Sequence, residues 1–293
     1  MIKGVLVAVL LVLSPLAQAE ILFQDEDVWD AFVGQDFDAN LVKAEEGDAR
    51  AQYLIGRAYL FGLEEQGVNV DQEKGLCWMK AAADQGAAEA YYALGVLYRR
   101  GIGVDKDAGK WEEYMIEAGE QWLRPAMTGL LDTYRDGDPQ VGIDQDEEKY
   151  LYWLEKTAED GLPISMRNMA RRYREGRGFE VDYEKAFEWI IRAVEQDDSL
   201  AQAYAGEFFE QGLGTEQDFV KAYMMYDLST GIGREAKYEL ADKMTEEQIE
   251  EAIARSWQWQ LKHGVVRPSS GGYRYQPDVI GLEPLSLTPE SDQ

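Results

Sequence analysis

The stretch AEAYYALGVLYRRGIGVDKD at residues 88–107 decides the fold, because its features return along the chain. In it Tyr98 is followed three positions later by Gly101 and preceded eight positions earlier by the small residue Ala90. The same aromatic and glycine recur as Tyr59/Gly62, Tyr134/Gly137, Tyr173/Gly176 and Phe209/Gly212, so that successive aromatics lie 39, 36, 39 and 36 residues apart. The small residue recurs with them, as Ala51, Ala126, Ser165 and Ala201. After each glycine comes a short turn and an Asp (Asp71, Asp105, Asp144, Asp182, Asp218), then a second aromatic (Trp78, Tyr114, Trp153, Trp189, Tyr226). Registers coinciding at this period mark a repeat architecture.

Each unit reads as a first helix with small and aromatic residues on one face, a glycine turn, an Asp able to cap a helix, and a second helix presenting an aromatic. One such pair cannot bury its apolar face alone. Pairs stacked side by side share a continuous core, which predicts an α-solenoid. The small residues let backbones approach, and the tyrosines and tryptophans fill the space between helices.

On these residues, together with YREGRGFEVDYEKAFEWIIRA at 173–193 and YLIGRAYLFG at 53–62, the chain resembles Sel1-like repeat proteins, relatives of the tetratricopeptide family. The resemblance runs from about Asp48 to Gly233. It implies an all-α, right-handed α-solenoid of about five helix-turn-helix repeats with capping helices at both ends. The third unit departs from the pattern: Leu131 stands where other units carry Gly56, Gly95 or Gly206, and two extra residues precede Trp153. Its turn, with Asp138-Pro139-Gln140, is expected to be distorted.

The flanks complete a map. Residues 1–19, with Lys3, an apolar run from Val5 to Leu13 and the ending Ala17-Gln18-Ala19, read as a secretory signal peptide. The apolar run is shorter than the roughly 20 residues a membrane span needs. Residues 20–47 are expected to cap the first of the repeats at 48–233, and residues 234–267 to cap the last. There Thr245-Glu246-Glu247-Gln248 forms a capping box, and a helix carrying Ile249, Ile253, Trp257 and Leu261 stops at Gly264. KMTEEQIEEA is similar to the closing segment of the family. Residues 268–293, rich in Pro, Ser and Gly, are expected to be a flexible tail, with Tyr273, Tyr275 and Ile280-Gly281-Leu282 as an alternative docking peptide.

The chain of 293 residues carries 29 Lys and Arg against 56 Asp and Glu, a formal charge of −27. That excludes sequence-independent nucleic-acid binding, which needs clustered cations. With 45% hydrophobic and 12% aromatic residues it is no disordered acidic polymer. Its field favours a basic partner and repels an anionic membrane. Residues 20–86 alone hold 15 acids and 5 bases. A single cysteine permits no internal disulfide, and Cys77, among Leu76, Trp78 and Met79, is expected to be a buried small hydrophobe.

Catalytic constellations are poorly supported. His263 is the one histidine and sits at a predicted helix end, where a protonated ring suits the dipole. The Gly-x-Gly pieces at Gly101/Gly103, Gly176/Gly178 and Gly212/Gly214 follow helices, so they are turns and not phosphate cradles. The acid pairs Asp144/Asp146 and Glu246/Glu247 match no calcium loop. No catalytic, cofactor-binding or metal residue is expected. The paired cysteines of the family members linked to β-lactam hydrolysis are missing.

The exposed stripe of the first helices is more informative. Counted from each aromatic, positions −5 and −2 lie away from the core positions −8, −4 and 0. They supply the candidate contacts Leu54, Arg57, Val96, Asp132, Asn168, Arg171, Tyr204 and Glu207, with Arg100 beside them. Variation at these positions suits a specific binding surface; a solvated face would vary in the same way. Arg167, Arg171, Arg172, Arg174 and Arg177 form a basic patch, and Arg171 is expected to join Asp132 and Glu207 in an ion-pair ladder.

The expected activity is that of an exported, periplasmic or secreted, module binding a basic partner protein, without cofactor, nucleic acid or membrane insertion. The family resemblance implies two roles: an immunity protein neutralising a type VI secretion effector such as a phospholipase, or an envelope assembly or signalling scaffold. A cell-wall or β-lactam hydrolase is the alternative of another class.

Overall fold

A computed structural model describes residues 26–139 and 141–265. The expected signal peptide and tail lie outside the described residues. Among those described are fourteen α-helices and two isolated antiparallel bridges, Leu63–Val68 and Asp138–Ile143. The architecture is therefore all-α. The chain divides into two compact units, residues 1–150 and 151–293.

In the first unit, α1 (Glu26–Val33) and α2 (Phe37–Glu45) precede α3 (Ala49–Phe61) and α4 (Gln72–Ala83), the first hairpin. The second hairpin is α5 (Ala88–Arg100) with α6 (Ala108–Glu120), followed by α7 (Arg124–Asp136) and the start of α8 (Glu147–Glu159). Each helix packs on the next from α2 to α7. The second unit contains the rest of α8, then α9 (Pro163–Glu175), α10 (Tyr183–Val194), α11 (Ser199–Gln211) and α12 (Phe219–Leu228), closed by α13 (Arg234–Ala241) and α14 (Glu246–Lys262). Both closing helices pack on α12.

The repeat register is a burial register. Every −8 residue is buried (Ala51, Ala90, Ala126, Ser165, Ala201), and so is every −4 residue (Ile55, Leu94, Leu130, Met169, Ala205). Tyr98, Tyr134 and Phe209 are buried at position 0, while Tyr59 and Tyr173 are half-buried. The expected capping box at Thr245 and Gln248 forms, and α14 ends at His263 before Gly264 in the left-handed region.

The turns correct two expectations. The third turn is not singular: from aromatic to cap it spans 12 residues (Tyr134 to Asp146), as the first does (Tyr59 to Asp71), against nine in the others. The longer pair each close on one of the two antiparallel bridges. The capping residues of the second and third hairpins are Asp107 and Asp146, not Asp105 and Asp144.

With that register, one local device recurs five times. Each capping Asp accepts the backbone N–H of a Lys three positions on: Asp71 from Lys74, Asp107 from Lys110, Asp146 from Lys149, Asp182 from Lys185 and Asp218 from Lys221, at 2.9–3.0 Å. The same Asp donates its own N–H to the carbonyl of the repeat aromatic. The Lys Nζ then stands over that aromatic ring, 4.7–5.4 Å from its centre. A cap contributes about 1 kcal/mol and an exposed cation over a ring about 0.5–1 kcal/mol. The backbone N–H of Lys74 holds the Asp71 carboxyl below the usual carboxylate range. That contribution is therefore full above the unfolded pKa and is lost as pH falls through the folded one. Asp107→Ala should cost about 1 kcal/mol in urea unfolding, whereas Asp105→Ala should change it little; the reverse ranking would restore the first assignment.

Cys77 is exposed rather than buried. Leu76 and Met79 take the inward positions of α4, and one residue beyond Leu76 the helix has already turned toward solvent.

Candidate partner-binding site

Each unit has a recess between two consecutive first helices, built at the same repeat positions. In the first unit it lies between α5 and α7, with Val96, Trp111 and Met115 as floor, Tyr92, Arg99, Arg100 and Lys106 on one side, and Pro125 and Gly129 opposite. In the second it lies between α9 and α11, with Ala170, Ile190 and Phe208 as floor, Arg167, Asn168, Arg171 and Arg174 on one side, and Tyr204 opposite. Relative to the repeat aromatic, Val96 matches Arg171, Arg99 matches Arg174, and Gly129 matches Tyr204. Where the first recess has no side chain, the second has a phenol. Arg171 in place of Val96 adds further bulk to the second recess.

The expected stripe is thus partly assembled. Val96 and Arg100 line one recess, and Asn168, Arg171 and Tyr204 line the other. Glu207 stands beside the second recess as the ion-pair partner of Arg174, at 3.2 Å. Asp132 is exposed and pairs with Arg135 of its own helix. Leu54 and Arg57 are buried and therefore off the accessible surface. The reason lies in the N-terminal cap: α1 lays Trp29 on this position of the first repeat, and the Arg57 guanidinium rests 4.2 Å from the ring centre. Gln66 pins the α1–α2 corner there, accepting from the Phe37 N–H and donating to the Val33 and Gln35 carbonyls.

The expected ion-pair ladder takes another form. Arg174 rather than Arg171 reaches Glu207, Arg167 pairs with Asp198 at 3.0 Å, and Arg171 donates to Asn168 at 3.2 Å. Sequence reading passed over Tyr92, Arg99, Lys106 and Trp111. Positions −6 and +1 lie one helical turn to either side of the stripe, so widening it by one turn would have found Tyr92 and Arg99. Lys106 and Trp111 come from the turn and the second helix, which a one-helix pattern does not sample. Arg99 is held by Asp138, 2.5 Å away in the bridged turn of the third unit.

A family model, Sel1 repeat, matches residues 49–86, 88–121, 127–162, 163–198 and 199–230. The chain belongs to the Sel1 repeat family. The five matches follow the five repeats read from the aromatics, and the fold class is the α-solenoid of that family. This Sel1 repeat protein is similar to the solved c5321, a protective antigen of uropathogenic Escherichia coli strains displaying an SLR fold. The match has 26% identity and a TM-score of 0.50, and covers 85% of this chain and 54% of that one. A Sel1 repeat protein from Oxalobacter formigenes matches at 22% identity and TM-score 0.50, over 79% of this chain and 66% of that one, which supports the fold alone. Among curated proteins, the ERAD-associated E3 ubiquitin-protein ligase component HRD3A of Arabidopsis thaliana is 39% identical over 69 residues, 24% of this chain. An uncharacterized protein of Neisseria meningitidis serogroup B is 24% identical over 137 residues, 47% of this chain. The chain spans only 10% and 27% of the length of those two relatives.

Sel1 repeats serve protein–protein interaction, and proteins built from them are generally non-enzymatic scaffolds. Two ionisable clusters of the same build occur among the described residues. Tyr134 donates to Glu112 at 2.6 Å, and Lys149 reaches the same carboxylate at 2.6 Å. Tyr226, Glu210 and Lys243 repeat the arrangement at 2.9 Å each. Burial raises the Glu112 carboxyl, but the hydrogen bonds from Lys149 and Tyr134 outweigh it and leave it below the usual range. Burial, reinforced by the glutamate in each cluster, pushes both tyrosine hydroxyls far above theirs. Glu112 so shifted, and Tyr134 and Tyr226 held protonated, are poor proton-transfer groups at neutral pH. Among the described residues no His, Cys, Asp and Glu cluster could hold a metal ion, and no helix is long and apolar enough to cross a membrane. His263 stacks on Trp259 at 3.8 Å and meets Glu195 at 3.0 Å, which closes the end of α14 rather than forming a triad.

Proposed function

We propose that this Sel1 repeat protein is exported through its N-terminal leader and acts by occupying the surface of a partner protein. The observation that carries this reading is that four of the stripe residues, on α5, α9 and α11, line recesses with apolar floors, Arg100 beside them. The formal charge of −27 favours approach of a partner with a basic surface. Within that reading, the finer role we favour is neutralisation of a secreted toxic effector such as a phospholipase, because masking another protein's surface needs a shaped, charged face and no chemistry. The test is a pull-down from periplasmic extract at low and high salt, followed by co-expression of the full chain with the captured protein. Rescue of growth from a toxic partner supports neutralisation; capture of envelope assembly components instead supports a scaffold. Mature protein beginning at Glu20 is the expected N-terminus, and turnover of peptidoglycan or nitrocefin would count against the binding reading.

A further inference from the structure

The lining of the two recesses is opposite in sign to the chain. Six of the lining residues are cations, Arg99, Arg100, Lys106, Arg167, Arg171 and Arg174, and none is Asp or Glu, although acids outnumber bases 56 to 29 overall. Charge neutralisation within the fold does not account for this. Arg99, Arg167 and Arg174 are matched by Asp138, Asp198 and Glu207. Among the described residues, no carboxylate is paired with Arg100, Lys106 or Arg171, whereas the Lys of every capping turn has an acceptor or a ring.

We infer that the recesses bind an acidic segment of a partner protein, with a carboxylate side chain on Arg171 and a neighbouring aromatic or large aliphatic side chain on the floor beside Tyr204. This rests on the protein-binding reading above. Three features select that occupant. The Arg171 guanidinium beside the Asn168 amide offers a planar set of donors that matches a carboxylate. The floor of Ala170, Ile190 and Phe208 accepts apolar surface, which a phosphate backbone does not present. The long-range field opposes a long polyanion but opposes a segment with two or three charges much less. A partner basic overall that offers such a segment satisfies both signs.

The test uses the full chain and two fluorescent decapeptides, one with three Glu spaced among Phe, Leu and Ser, the other its Gln counterpart. The Glu peptide should bind and the Gln peptide should bind at least tenfold more weakly, the loss of one charge-assisted contact being worth about that factor. Arg171→Gln should weaken the Glu peptide by roughly tenfold without moving the thermal midpoint, since the side chain is exposed. Arg171→Glu should reverse the preference toward a Lys counterpart peptide. Equal binding of Glu and Gln peptides, indifference to both Arg171 variants, or equal competition by a single-stranded oligonucleotide of matched charge would overturn the inference. A protein captured from extract that binds Arg171→Glu as tightly as the parent would overturn it too, while leaving the partner-binding reading in place.

Discussion

Gly214→Ala is expected to be among the most damaging single substitutions in the chain, costing about 3–5 kcal/mol. Two effects add. Gly214 has φ 63°, in the left-handed region where a Cβ costs about 1–2 kcal/mol. Its surroundings supply the larger share: a Cβ there would lie against the Tyr183 carbonyl and 2.6 Å from the Glu184 nitrogen, both backbone atoms at the start of α10. Backbone of a preceding helix cannot rotate aside as a side chain does, so the turn after α11 must lift off α10. Gly67 separates the two effects. It has φ 72° with nothing near its Cβ position, so Gly67→Ala should cost only about 1–2 kcal/mol. Urea unfolding of the two variants measures the difference; equal costs would show that the close approach contributes nothing.

That glycine also illustrates what could be read from residues alone. The spacing places Gly212 and Gly214 in a helix-to-helix turn, and the structure has both there with positive φ. The reason for the second glycine, contact with the previous repeat, involves residues some thirty positions earlier and leaves no local mark. The aromatic, the small residue and the first glycine were legible because each faces its own hairpin at a fixed offset. The cap was misplaced at Asp105 and Asp144 because the turns come in two lengths and several acids crowd each one. The Asp-x-x-Lys pattern, present in all five units, would have picked out Asp107 and Asp146.

The candidate site was legible only where it lies on one helix. Positions −5 and −2 found Val96, Asn168, Arg171 and Tyr204, with Arg100 beside them, because a helix face is a property of local spacing. Leu54 and Arg57 occupy the same positions but are buried, Arg57 under Trp29 from α1, a contact that the repeat pattern cannot announce since α1 lies outside it. Net charge misled in a related way. A total of −27 describes the field at a distance, whereas the recess lining holds six cations and no acid, three of the cations being paired with acids outside the lining. The sign of a whole chain therefore says which surfaces approach it, and the lining of a recess says which side chain can stay.

Lys237 is the second position where a large effect is expected. It lies on α13, is almost fully buried, and pairs with the equally buried Asp227 of α12 at 2.9 Å. Ser256 of α14 donates to the other Asp227 oxygen at 2.7 Å, so one carboxylate joins the last repeat helix to both closing helices. The Lys237 ammonium also stands 5.4 Å from the Tyr223 ring centre and 5.8 Å from that of Tyr238. Removing one partner of a buried pair leaves a desolvated charge, which costs about 3–5 kcal/mol, whereas replacing both by apolar residues is often nearly neutral. Lys237→Met should therefore destabilise the second unit by that amount in chemical unfolding, and the double variant Lys237→Met with Asp227→Leu should recover a large part of it. Because α12 is the repeat helix on which α13 and α14 chiefly pack, the single variant should also raise amide exchange first in residues 234–262, before the hairpins of α9 to α12 respond. Uniform acceleration across the unit, or a cost below about 1 kcal/mol, would show that the pair does not hold the closing helices in place.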